Sequence, residues 1–132
     1  MSQYGETAVA AVQLIHSNPA LCPAKAWAAA IQQIITSRSG AAKVCPKNAF
    51  LGLCEEGLVR GIPSGKYTRS KRNKVYALNV YSLILKTHGL IENKKLLWRR
   101  VTGGTELAEN GQLDVVIALF KANLLLPAGN EP

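Results

Sequence analysis

The stretch GIPSGKYTRSKRNK, Gly61 to Lys74, concentrates the residue types best suited to chemistry in this chain. Gly61, Pro63 and Gly65 make a tight turn with accessible backbone N–H groups, and a run of cations follows. The pattern invites comparison with the phosphate loop GxxxxGK[ST], in which backbone N–H groups cradle phosphates and the Lys and hydroxyl complete the site. It fails on spacing. Gly61 to Gly65 is one residue short, and Tyr67 separates Lys66 from Thr68. No strand is expected before the loop, and none tipped by a carboxylate after it to help hold magnesium, so nucleotide hydrolysis is not the expectation.

A simpler chemistry survives the failed motif. The free N–H groups at a helix N-terminus favour an anion. Cations placed there oppose the helix dipole by about 0.3–1 kcal/mol each when exposed. A docked polyanion turns that conflict into attraction. The competing reading is a solvated basic loop that keeps the protein in solution. Arg99 and Arg100, beside Trp98, form a second basic cluster. From Arg60 to Arg100 eleven Lys and Arg residues face a single acid, Glu92, a net +10 in a chain of net +8. Charge of one sign gathered this tightly points to a polyanionic partner, and nucleic acid is the natural one.

Among the nearby aromatics, Tyr67 sits in the loop and is the candidate for stacking on a base, whereas Tyr76 and Trp98 are expected in the core. No recognition-helix signature is present, so reading of a specific base sequence is not expected. The candidate anion- or nucleic-acid-binding set is Lys66, Tyr67, Arg69, Lys71, Arg72, Lys74, Arg99 and Arg100. Of these, Lys66, Arg69, Arg72 and Arg100 are expected to share one positive surface around the start of the following helix.

Catalytic groups are weaker. Cys45 precedes Pro46 at a helix start and has Lys43 and Lys47 nearby, both of which favour a thiolate. A nucleophile also needs a base, and nothing in the spacing of His16 and His88 brings either to Cys45. A small packed thiol is the expectation. Cys22, Cys45, Cys54, His16 and His88 show no metal-ligand spacing. Glu55 and Glu56 are adjacent and so point to different faces of a helix, a poor acid/base pair. No catalytic residue, metal or cofactor is therefore assigned, and a non-catalytic binding module is the leading reading. The alternatives are a protein-interaction subunit, such as a homodimer, and a small enzyme that holds a phosphorylated substrate.

These residues need elements to position them. Ala8, Ala11, Val12 and Ile15 predict a helix over about 7–17 that SNP stops. Pro23 opens a second helix whose face is Trp27, Ala30, Ile31, Ile34 and Ile35. Pro46 opens a third, lined by Ala49, Phe50, Leu53 and Cys54, with Gly57 as its C-terminal cap. LCPAKAW at Leu21 and VCPKNAF at Val44 share a pattern, which chance use of helix-opening residues explains better than duplication. A broadly apolar fourth helix spans about 70–88, capped by Thr68 or Ser70 and ended by Gly89. LIENKKLLW fits either a two-stranded wing near 90–100 or a short helix. A last helix opens at Asn110, with Asp114 near its positive end and Leu113, Val116, Ile117, Phe120 and Leu124 as its stripe.

The fold class is therefore mainly α: one domain over 1–126, about six helices around a central helix near 70–88, and a loose tail at 127–132. At 132 residues and 48% apolar, the chain can build one real core. Aromatics make up only 6%, so Ala, Leu, Ile and Val must fill it. No run approaches the roughly 20 apolar residues that span a bilayer. The N-terminus lacks the pattern of a secretory signal, and three cysteines cannot all pair, so reduced thiols in a cytoplasm are expected.

The blocks CPKNAFLGLC, YTRSKRNKVYA, LW and NGQLDVVIAL, in that order, resemble a small bacterial family of unknown function. The likeness covers about residues 20–125. It implies a bacterial source and a single compact domain, and it supplies no activity, cofactor or catalytic residue.

Overall fold

A computed structural model describes residues 2–105 and 107–127. Its helices are α1 (Gln3–Ser17), α2 (Pro23–Ile34), the one-turn α3 (Arg38–Ala41), α4 (Val44–Glu55), α5 (Lys71–Lys86), α6 (Lys94–Val101) and α7 (Gln112–Lys121), with a 3-10 turn at His88–Glu92 before α6. The loose tail expected at 127–132 lies, Pro127 excepted, outside the described residues.

Local chemistry sets the helix ends. Ser2 Oγ accepts the Gly5 N–H at 3.1 Å, so α1 starts at Gln3 rather than near Thr7. Pro23 is the first residue of α2, as its locked φ favours. α4 starts two residues ahead of Pro46, which still lies in the first turn. The two CP blocks thus enter their helices in different registers, against an internal duplication. They meet instead through their aromatics, Trp27 against Phe50 with centroids 5.5 Å apart. Gly57, at φ +72°, ends α4 as expected: its N–H reaches Cys54 O at 3.0 Å and the Leu58 N–H reaches Leu53 O at 3.2 Å.

Ser70 caps α5 by accepting the Asn73 N–H at 3.3 Å. The helix stops at Lys86, not at Gly89, because Thr87 turns extended. The two-stranded wing near 90–100 is not formed. Asn93 Oδ1 accepts the Leu96 N–H at 3.2 Å and starts α6, and the helical period then buries Leu97 and Trp98 together. The one strand-like pairing among the described residues is an isolated antiparallel bridge, Val59 to Leu125. α7 begins at Gln112, with Gly111 as its cap, rather than at Asn110.

One core joins these elements. α1 packs on α2 and α7, α4 packs on α5, α7 and α2, and α5 also carries α6 and the 3-10 turn. Gly52 lets α4 and α5 touch: a Cβ there would sit 2.7 Å from Lys74 Cα. Trp27, Ile31, Phe50, Leu53, Ile84 and Val116 are buried, while Leu78 and Phe120, expected with them, are half-buried against the same core. α7 buries Leu113, Val115, Val116, Ile117, Ala118 and Leu119, nearly its whole circumference. Burial of each large aliphatic side chain contributes about 1.5–3 kcal/mol. No described helix is long and apolar enough to cross a membrane.

Candidate functional site

The loop before α5 is folded around an acid. Glu55, in the last turn of α4, accepts the Tyr67 N–H at 2.7 Å and the Thr68 N–H at 3.1 Å through Oε1. Its Oε2 accepts from Lys74 Nζ at 2.7 Å, and Glu56 lies 2.6 Å from the same ammonium. The Gly65 N–H donates to the Glu55 carbonyl at 3.2 Å, and the Tyr67 hydroxyl to the Pro63 carbonyl at 2.7 Å. The Thr68 hydroxyl reaches Asn48 Oδ1 at 2.8 Å. The Lys74 ammonium, then the Tyr67 and Thr68 N–H groups, hold the Glu55 carboxyl down at about 2. Glu55 first and Glu56 second raise the Lys74 ammonium above its ordinary value. The Tyr67 and Thr68 N–H groups of the loop therefore meet an anion from this chain, and Lys74 is tied to it.

Other candidates at this end remain open. Lys66, Arg69, Lys71 and Arg72 are exposed and Tyr67 is half-buried. The ion pairs among the described residues are those of Lys74 and that of Lys94 with Asp114, so these four cations have no described carboxylate partner. Arg69, Lys71, Lys74, Thr68, Glu55 and Val75 line a depression of about 520 Å³.

α6 carries the second group. Leu97 and Trp98 point inward, and Lys94, Lys95, Arg99 and Arg100 are exposed. The Trp98 Nε1–H donates to the Leu107 carbonyl at 2.7 Å, and the ring meets Tyr76 edge-on at 5.3 Å. Arg100 and Lys86 face a groove of about 230 Å³ between α5 and α6, completed by Asn79, Ser82, Leu83 and Val101. At ~1.5 Å of rise per residue this groove lies roughly 15 Å along α5 from its first turn. Arg100 thus lines a different groove from the depression lined by Arg69 and Lys71. Arg99 lines another pocket, with Lys94, Lys95 and Trp98.

A buried polar chain ties the start of α5 to that of α7. Gln112 Nε2–H donates to Asn73 Oδ1 at 3.0 Å, and Asn73 Nδ2–H to Ser70 Oγ at 3.1 Å. The Asn110 N–H donates to Gln112 Oε1 at 2.8 Å. The SKRNK and NGQ blocks, distant in sequence, are therefore in contact.

Cysteine chemistry finds no partner group. Cys45 is half-buried in a cleft completed by Ser39, Ala42, Lys43, Val44 and Asn110, with neither histidine nor Lys66 in it. His16 Nε2 bonds the Arg60 carbonyl at 2.7 Å, and His88 stacks edge-on to Phe120. Cys54 is fully buried, which pushes its thiol pKa far up. The described residues contain no cluster of three or more His, Cys, Asp or Glu suited to a metal.

Comparison with known proteins adds the family. The model of a family of unknown function, DUF6979, matches residues 1–126, and the chain belongs to that family. No curated protein and no solved structure matches it.

Proposed function

We propose that this family member is a non-catalytic module that binds a polyanion, nucleic acid before others, on the face built by the start of α5 and by α6. The observation that carries the reading is α6 itself. It exposes Lys94, Lys95, Arg99 and Arg100 while burying Leu97 and Trp98, so its cations stand on a packed base rather than on a free loop. Lys66, Arg69, Lys71 and Arg72 extend the positive surface at one end, and the Lys86–Arg100 groove extends it at the other. A phosphate backbone carries many charges, and exposed cations at several points of this surface can each meet one.

The apolar residues of α5 and of the chain after α7, which a protein-interaction subunit would use, mostly pack inward. Tyr76, Leu78, Leu83, Leu85 and Leu124 all pack on the core. The three cysteines are unpaired, which supports a reducing compartment such as a cytoplasm.

Salt-dependent binding to mixed DNA and RNA tests the proposal. The expected log–log slope is steep, each neutralised phosphate adding about −0.7 to −0.9. No retention on either polymer at low salt overturns it.

A further inference from the structure

The groove between α5 and α6 differs in charge from the other cationic hollows. Glu55 lines the depression at the start of α5, and Glu109 and Asp114 line the pocket beside Arg99. The groove has two cations, Lys86 and Arg100, and no acid among its lining residues. Asn79, Ser82, Leu83 and Lys86 stand at i, i+3, i+4 and i+7 of α5 and so share one face, which α6 meets with Arg100 and Val101. Leu83 and Val101 also pack on the core, so the groove is backed by fixed side chains. Its polar groups are unspent. Ser70 and Asn73, on the same helix, are used by its cap and by Gln112. Among the described residues Asn79 and Ser82 make no such side-chain bond, and Lys86 and Arg100 no ion pair.

Resting on the polyanion reading, we infer that this groove seats one phosphate group, so that the polyanion is held at a defined point as well as by a diffuse field of charge. At about 230 Å³ the groove is smaller than the roughly 300–1,000 Å³ of pockets that enclose whole ligands. It suits a single tetrahedral anion. The donors match in kind: a guanidinium fork and an ammonium for the charge, an amide N–H and a hydroxyl for the remaining oxygens. Both cations lie in the last turn of their helices, where the dipole favours them. That accounts for each cation alone, and not for the unspent Asn79 and Ser82 in the same groove. Two like charges facing one groove repel, and a seated phosphate turns the repulsion into attraction. The donors also stand on two packed helices, which hold them more rigidly than a loop does.

The test uses the full chain, inorganic phosphate, and a labelled mixed-sequence DNA strand of about twelve nucleotides with and without a 5′-phosphate. Inorganic phosphate, titrated against chloride at constant ionic strength, should shift the NMR signals of the Asn79 side-chain amide and the Arg100 Nε–H. Asn79→Ala removes no charge and Arg100→Lys keeps it, so a diffuse field would feel neither. A seat should lose about tenfold in strand affinity with each, the low end for a hydrogen bond to a charged group, at an unchanged salt slope. Asn79 is exposed, and its removal leaves the fold intact. Equal weakening of both strands places an internal phosphodiester in the groove, and weakening of the 5′-phosphorylated strand alone places a terminal phosphate there; either supports the seat. Wild-type affinity of either variant for both strands, or no shift at Asn79 and Arg100, overturns the seat and leaves the polyanion reading standing. Failure of the wild-type chain to bind either strand at low salt overturns both.

Discussion

Glu55 holds Lys74 across the α4–α5 contact, Oε2 to Nζ at 2.7 Å, and its other oxygen takes the N–H groups of Tyr67 and Thr68. The basic loop is therefore ordered by an internal carboxylate before any ligand arrives.

That arrangement makes the fold sensitive to acid. The folded Glu55 carboxyl titrates at about 2, below the roughly 4.3 of a free glutamate, so its stabilisation is complete above the unfolded value and fades as pH falls toward the folded one. Urea midpoints measured from pH 6 down to pH 2 should decline in the wild type. Glu55→Gln should start lower and decline less, and parallel curves would show that the contact does not contribute.

Gly52 sets the α4–α5 separation. A methyl there meets Lys74 Cα and Cβ, each at 2.7 Å, and backbone cannot move aside as a side chain can. Gly52→Ala should destabilise by about 1–3 kcal/mol despite its gain in helix propensity. Chemical denaturation reads the sign directly; a stabilised variant contradicts the close approach.

Removing one end of the buried Gln112–Asn73 bond leaves the facing atom, Asn73 Oδ1 or Gln112 Nε2, without its partner, while the bonds of Asn73 to Ser70 and of Gln112 to Asn110 do not replace it. Gln112→Leu and Asn73→Leu should each cost about 1–3 kcal/mol. The double variant should cost less than the two together, and strict additivity in the cycle would mean that the pair is not coupled.

The cations should separate into two kinds. Lys66→Ala should leave stability unchanged and flatten the salt slope of polyanion binding by about 0.7–0.9. Lys74→Ala should lower the urea midpoint and leave the slope alone, because its charge is already matched by Glu55 and Glu56. The reverse pattern would move the binding surface off the loop and onto the first turn of α5.

Thiol labelling should follow burial. Cys22 is exposed, Cys45 half-buried and Cys54 buried, so a thiol reagent should modify the first readily, the second more slowly and the third only on unfolding. Cys45→Ala should cost little stability; early labelling of Cys54 in the native state would show that α4 opens locally.

What was legible in the sequence was what neighbours along the chain decide. Pro23, Ser70 and Gly57 mark helix ends through contacts within a few residues, and the periodic faces of α2 and α7 follow from one helix's own geometry. The role of Glu55 was not legible. Its partners lie twelve to nineteen residues away, across a loop whose path no local rule sets. The charge run was visible, but not that Arg99 and Arg100 line different pockets. That divergence depends on 90–100 being helical, and the readable signal for it was Asn93 ahead of KKLLW, an N-cap in a run short enough to fit a hairpin as well.

α7, buried around nearly its whole circumference, is also the last helix in the described chain. During synthesis, α1 and α2 can pair as soon as both have emerged, but the surfaces of α1, α4 and α5 that receive α7 have nothing to cover them until Gln112–Lys121 follows. The core therefore closes through contacts of long sequence separation, made when this helix docks. A chain stopped before Gly111 should stay helical yet bind a hydrophobic dye, and in the cell it should be a client of whatever holds unfinished proteins apart.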